Sequence, residues 1–294
     1  MENKVQVNRK NKKCPFEARD KELLMKEIKH LHDKGLSQVD ISKVLKISRG
    51  TILRWNKEQN FFSPRQPGEA GKLKSKIYAY DEDIFENTMD PNLAYIVGFI
   101  MGDGCIHDRS KSKRLAISIA ISDKQILKDM AIYMNMVGLL KIRMASVESE
   151  QDKICLTVSC TKICNDLSKY GIVPKKTGKE IFPFWLSTNC KWAFLRGFFD
   201  ADGHIRKYKR YGYDKVKFTL TGNKPMMVQI INFLKSENIL PPKKAIYEKI
   251  GCVSFEMSSI KTLQTLYQKM YAEDTGHLRL ERKEKVFKLI NSIS

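Results

Sequence analysis

The 294-residue sequence is short of acidic residues, with 33 Asp and Glu against 53 Lys and Arg and a formal net charge of +20. It also lacks a long apolar run. The longest, Leu93 to Gly102, is closed by Asp103 and falls well below the roughly 20 residues of a membrane-spanning helix. The opening stretch, MENKVQVNRKNKK, holds no apolar segment, so no secretory signal is expected. Cysteine occurs seven times but never as a CxxC pair, and Cys160 and Cys164 have no second pair to complete a zinc site. All seven are expected as reduced thiols of a cytosolic protein. The five histidines are scattered, which argues against a histidine-built metal cluster.

What is present is a folded composition, 42% hydrophobic and 10% aromatic, in a chain long enough for two or three domains. The positive excess points to a polyanion, because Lys and Arg displace counterions from phosphates. It is unevenly spread. Residues 1–90 hold 19 Lys and Arg against 14 Asp and Glu, net +5, whereas residues 91–294 hold 34 against 19, net +15.

A basic tail (1–16) leads into residues 17–58, where apolar spacing predicts three helices. The first carries Leu23, Leu24, Ile28 and Leu31, the second follows a Ser37 cap, and the third follows a Ser48 cap. Residues 59–90 contain Pro64, Pro67, Gly68 and Gly71 and read as a linker. From residue 91 the chain repeats. IVGFIMGDG (96–104) is answered by LRGFFDADG (195–203) at an offset of 99 residues, which divides the rest into 91–190 and 191–294. After each come alternating strands, as in KVKFTLT (215–221), and further helices.

In each repeated helix small residues recur every four positions: Ala94, Gly98, Gly102 and Ala193, Gly197, Ala201. Such stripes let two helix backbones approach closely. Each helix is expected to end on an acid, Asp103 or Asp202, with Gly104 or Gly203 as its stop. Carboxylates at helix C-termini oppose the macrodipole, and packing the stripes brings the two together. Like charges so placed call for a divalent cation, and hard oxygen ligands with open positions suit Mg²⁺.

These two segments resemble the signature helices of single-chain LAGLIDADG homing endonucleases, and the resemblance extends over about residues 91–290. It implies an α+β fold of two pseudo-symmetric αββαββα repeats forming a DNA-binding saddle, here preceded by a small all-α domain. It implies cleavage of both DNA strands across the minor groove, leaving short 3′ overhangs. Carried over by position, Asp103 and Asp202 are the metal-binding acids, with the carbonyls of Gly102 and Ala201 as further ligands and Mg²⁺ or Mn²⁺ as cofactor. Asp200, where the first copy has Met101, reads as structural. His107 and His204 read as exposed strand residues. YGIVPKKTGKE (170–180) and LRLERKEK (278–285) resemble the end-of-repeat segments that place a basic residue near the scissile phosphates. Lys176 and Lys283 are the catalytic candidates, beside Lys175 and Arg282, and phosphate contact without catalysis is the other reading.

Basic strands next to the acids supply DNA-contact candidates: Arg109, Lys111, Lys113 and Arg114 in the first repeat, and Arg206, Lys207, Lys209, Arg210, Lys215 and Lys217 in the second. QVDISKVLKISRGTILRW (38–55) resembles the helix-turn-helix of resolvase-like proteins, with Lys46 where glycine is usual. It implies major-groove contacts from Arg49, Gly50, Thr51, Arg54 and Lys57, and a core position for Trp55. A helical hairpin for protein contacts is the alternative. The expected protein is a monomeric, site-specific double-strand DNA endonuclease of a mobile element or intron. Its partner is double-stranded DNA with a long asymmetric site, without a membrane, in the cytoplasm of a bacterial or phage-type host or in an organelle. An intron RNA maturase and a non-cleaving DNA-binding regulator are the rivals. No Cys or Ser opens the sequence and no His-Asn pair ends it, so an intein-embedded nuclease is not expected.

Overall fold

The computed structural model describes residues 18–65, 80–86, 89–109, 112–243 and 245–291. The chain divides into two compact units, residues 1–77 and 78–294. The basic tail and much of the expected linker (66–79 and 87–88) lie outside the described residues.

The first unit has three helices, α1 (Ala18–Asp33), α2 (Gln38–Leu45) and α3 (Arg49–Gln59). Ser37 and Ser48 cap α2 and α3, their hydroxyls accepting from the amides of Asp40 and Thr51. Ile28, Ile41, Ile47, Ile52 and Trp55 form the core with Met25, which the expected spacing does not include, and Phe62 completes it. Leu24 and Leu31 pack against it partly buried, whereas Leu23, expected on the apolar face, is exposed. Phe62 falls inside the expected linker. It is held there by Asn56, whose side chain donates to the Phe62 carbonyl at 2.9 Å and accepts its amide at 3.0 Å. Arg65 donates to the carbonyls of Leu36 and His32, so residues 60–65 are part of this unit.

Lys46 adopts the left-handed conformation at the turn between α2 and α3, with φ 52° and ψ 34°. The turn that glycine usually makes is therefore made by lysine, against a steric cost of about 1 kcal/mol. Lys46→Gly is expected to stabilise the first unit by about 0.5–1 kcal/mol, read from its denaturation midpoint.

In the second unit the order is α4 (Pro91–Asp103), β1 (Gly104–Arg109), β2 (Ser112–Ala120), α5 (Lys124–Tyr133), β3 (Leu140–Arg143), β4 (Lys153–Val158) and α6 (Thr161–Ser168). It repeats as α7 (Thr188–Asp202), β5 (Gly203–Arg210), β6 (Tyr213–Gly222), α8 (Lys224–Ser236), β7 (Ile246–Lys249), β8 (Cys252–Met257) and α9 (Ile260–Met270). The second repeat adds α10 (Glu281–Asn291). The order of elements is αββαββα twice, in an α+β fold. Each repeat builds a four-stranded antiparallel sheet with the same strand order, β1-β2-β4-β3 and β5-β6-β8-β7. One continuous core fills this unit, with Phe85 also buried in it, so residues 80–86 belong here. The six described cysteines form no disulfide. No described helix is long and apolar enough to cross a membrane.

Candidate active site

Both motif helices start on defined caps. Asp90 accepts the amides of Asn92 and Leu93 ahead of α4, with Pro91 in its first turn, and Ser187 accepts the amide of Cys190 ahead of α7. Apolar residues line nearly every face, so the helices are buried all round. Their contact runs through glycine. A Cβ built on Gly98 lies 2.1 Å from the Phe194 carbonyl oxygen, and one on Gly197 lies 2.0 Å from that of Tyr95. No side chain larger than hydrogen fits either place.

The contact continues to the helix ends, where a Cβ on Gly102 lies 2.4 Å from the Ala201 Cβ and 3.0 Å from an Asp202 carboxylate oxygen. Asp103 and Asp202 are the last helical residues. Gly104 and Gly203 follow in extended conformation, φ −84° and −94°, rather than in the left-handed cap expected of a glycine stop. Glycine is required there by space: a Cβ on either comes within 2.6 Å of the carbonyl oxygen four residues earlier, on Ile100 or Phe199. The first strand of each sheet thus leaves directly from its acid.

Both carboxylates reach solvent, yet the surrounding protein disfavours their charged forms. Burial raises the Asp103 carboxyl above its ordinary value, against the pull of Lys283 and Lys176. The Asp202 carboxyl is pushed up to about 6, by burial first and by the Asp103 charge next. Two carboxylates, with the last-turn carbonyls of Gly102 and Ala201, would offer a cation oxygen donors alone, the chemistry that suits a hard divalent ion. Among the described residues no group of three or more His, Cys, Asp or Glu is placed to hold a metal. Water or phosphate oxygens would have to complete the shell, as is usual for Mg²⁺.

A family model described as a LAGLIDADG-like domain matches residues 90–153 and 189–267, one stretch in each repeat and each containing a motif helix. Both repeats carry a LAGLIDADG-like domain. Among curated relatives it is 24% identical over 173 residues to the uncharacterized protein MJ0398 of Methanocaldococcus jannaschii, covering 58% of this chain and 55% of that one. It is 26% identical over 217 residues to the replication factor C small subunit of the same organism, covering 68% of this chain and 11% of that one. The chain therefore spans about half of one relative and a small part of the other. Among solved structures it is similar to the LAGLIDADG meganuclease I-AabMI bound to uncleaved DNA, at 15% identity and TM-score 0.47 over 70% of this chain and 90% of that one. The homing endonuclease I-GzeII in complex with its DNA target gives 13% identity and TM-score 0.47 over 70% and 91%.

The LAGLIDADG helix ends each meet a lysine from the close of their own repeat. Lys176 is half-buried and donates to the Gly102 carbonyl at 2.9 Å, so this candidate ligand already has a cationic partner. Lys283 is 5% exposed and donates to the carbonyls of Phe199, Asp200 and Gly203, each at 2.7 Å. Burial pulls its ammonium down to about 8. Asp200, in the position expected to be structural, is fully enclosed. One oxygen accepts the Tyr95 hydroxyl and the Leu280 amide, both at 2.7 Å, and burial pushes its carboxyl up to about 6.

Strand register sorts the basic candidates. In the second LAGLIDADG sheet Arg206 pairs with Lys217, and Arg210 with Tyr213, while Lys215 pairs with Tyr208. These basic residues lie on the face opposite Ile205, Val216, Phe218 and Leu220, away from the core. Lys207 and Lys209 fall on the other side of the ribbon, and Lys207 is paired with Asp214 at 2.9 Å. Lys217 is held by Glu256 at 2.7 Å. In the first sheet Arg114 shares the open face with His107. Lys113 points the other way and donates to Asn165 on α6 at 2.8 Å. Arg109 ends β1, and Lys111 lies outside the described residues. Lys141, Arg143 and Lys153 join the open face by register and were not singled out from sequence, because the four-residue β3 is too short to show alternation. In the first unit Arg49, Gly50, Arg54 and Lys57 share the exposed side of α3, and Trp55 is buried, as expected. The Thr51 hydroxyl is engaged with the Ser48 cap at 2.8 Å.

Proposed function

We propose that this protein is a divalent-metal-dependent, site-specific double-strand DNA endonuclease. The observation that carries the reading is the meeting of Asp103 and Asp202 at the abutting ends of two glycine-packed helices. Each acid raises the local cost of negative charge, and a cation would relieve it. Mg²⁺ or Mn²⁺ held there would activate water and stabilise negative charge on the phosphodiester. Asp103 and Asp202 supply its carboxylates, with the carbonyls of Gly102 and Ala201 beside them. Lys176 stands next to that cluster and favours the phosphate's negative charge. Arg114, Arg206, Arg210, Lys215 and Lys217 on the open sheet faces hold the duplex backbone and read base edges. Retention of both acids favours cleavage over a purely regulatory role.

Selection from a random duplex library tests the reading: with Mg²⁺ a single long asymmetric sequence should be cut, and with EDTA none. Intron RNA bound and spliced, with no DNA cut under any metal, would instead support a maturase. The helical first unit adds affinity. Removing residues 1–77 is expected to weaken binding about 10–100-fold and to flatten its salt dependence, with scission retained. Loss of all scission in a truncated protein that still folds would remove this accessory role.

A further inference from the structure

Lys176 and Lys283 end matching segments of the two repeats, yet their surroundings differ. Lys283 has three ammonium hydrogens and three carbonyl partners, Phe199, Asp200 and Gly203, at 2.7 Å each, with its charge 5.0 Å over the Phe199 ring. Nothing is left to donate unless a bond is broken. Lys176 donates to the Gly102 carbonyl and remains half-open to solvent.

The segment before Lys283 is fastened along the whole helix pair. Asn92, at the start of α4, accepts the amides of His277 and Leu278. Arg196, fully buried in α7, donates to the carbonyls of Met270, Thr275 and Gly276 and to the Thr275 hydroxyl. Asp200 holds the Leu280 amide, and Arg282 grips Asp123 of the first repeat with two bonds of 2.8 Å. The first repeat lacks the buried part of this fastening, since Val97 and Met101 stand where Arg196 and Asp200 stand in the second. Its own segment is tied to the second repeat at Glu180, whose carbonyl and carboxylate accept from Asn223 at 2.8 and 2.7 Å.

On the nuclease reading above, we propose that the two lysines have different duties. Lys176 acts on the phosphate of one strand. Lys283 is a positioning residue: it closes the strap of residues 270–283 onto the turn between α7 and β5 and so fixes where Asp202 lies. The two strand cuts are then chemically inequivalent.

Strand-resolved cleavage of the selected duplex by the full chain tests this. Lys176→Met should slow one strand by at least 100-fold and leave the other within about threefold, so that nicked product accumulates. Lys283→Met should slow both strands together, because Asp202 faces Asp103, and a tenfold increase in Mg²⁺ should recover most of the loss. Without metal or DNA, Lys283→Met should speed amide exchange across residues 199–204, and Lys176→Met should leave residues 100–105 unchanged. If Lys283→Met does not fold, Lys283→Arg replaces it and should cut both strands within about tenfold of wild type. A mirror-image result overturns the proposal: Lys283→Met or Lys283→Arg losing the opposite strand alone, without metal rescue. A wild-type protein that cuts neither strand defeats the nuclease reading, and exchange at 199–204 then decides the positioning role.

Discussion

Alanine at Gly98 or Gly197 is expected to abolish strand cleavage and to cost the second unit about 2–4 kcal/mol. Two effects oppose each other. Replacing a mid-helix glycine by alanine gains about 1 kcal/mol of helix propensity. Against it, the new methyl group would sit 2.1 Å from the Phe194 carbonyl oxygen or 2.0 Å from that of Tyr95, and a backbone carbonyl cannot rotate aside as a side chain can. The helices must separate, and every apolar contact between them loosens. The separation also moves Asp103 and Asp202 apart, and a shift of about 1 Å in reacting groups can cost about 100-fold in rate. Gly50→Ala is the control, because a Cβ there meets nothing nearer than Ser48 at 3.8 Å. It should be neutral or stabilising by up to about 1 kcal/mol. Chemical denaturation with a parallel cleavage assay checks both. A Gly98→Ala protein that melts like wild type and cuts normally would mean the helices do not pack through these glycines.

The second large effect is opposite in sign for stability and activity. Asp103→Asn and Asp202→Asn should each reduce cleavage by at least 1,000-fold, since on the proposed function each would remove a charged ligand from an already sparse donor set. In metal-free solution both should nevertheless melt higher than wild type. The sign follows from linkage. With the Asp202 carboxyl at about 6 in the fold and in the ordinary carboxylate range when unfolded, the folded state binds more protons between those values. The metal-free wild type therefore loses stability as pH rises through that window, and Asp202→Asn should lose less, keeping only the shares of Asp200, also at about 6, and of Asp103. Added Mg²⁺ should restore the wild type and leave the variant unmoved. Thermal melts at pH 4, 5, 6 and 7, with and without Mg²⁺, read all of this. Equal melting of wild type and Asp202→Asn at pH 7 without metal would show that no repulsion is stored at the helix ends.

Much of this was legible in the chain. The doubled glycine stripe and its terminal acid are local patterns, and they alone placed α4, α7, Asp103 and Asp202. Serine caps and apolar spacing likewise placed the first three helices. What stayed hidden depends on contacts distant in sequence. The Arg196, Asp200 and Lys283 strap joins residues about 80 apart, and no periodicity announces it. Counting charge near a hairpin gathered Lys113, Lys207 and Lys209 with their neighbours, whereas pairing register puts them on the other face. Gly104 and Gly203 ended their helices as expected but for a different reason, close approach to the preceding turn rather than positive φ.

The most direct measurement of the central claim is single-turnover cleavage of the library-selected duplex, each strand labelled separately, across a Mg²⁺ titration. The account predicts that wild type cuts both strands with a saturable metal dependence, and that the Asp103→Asn, Asp202→Asn double variant binds the duplex but cuts neither. Cleavage by that double variant at the wild-type rate, or wild-type cleavage unchanged in EDTA, would contradict it.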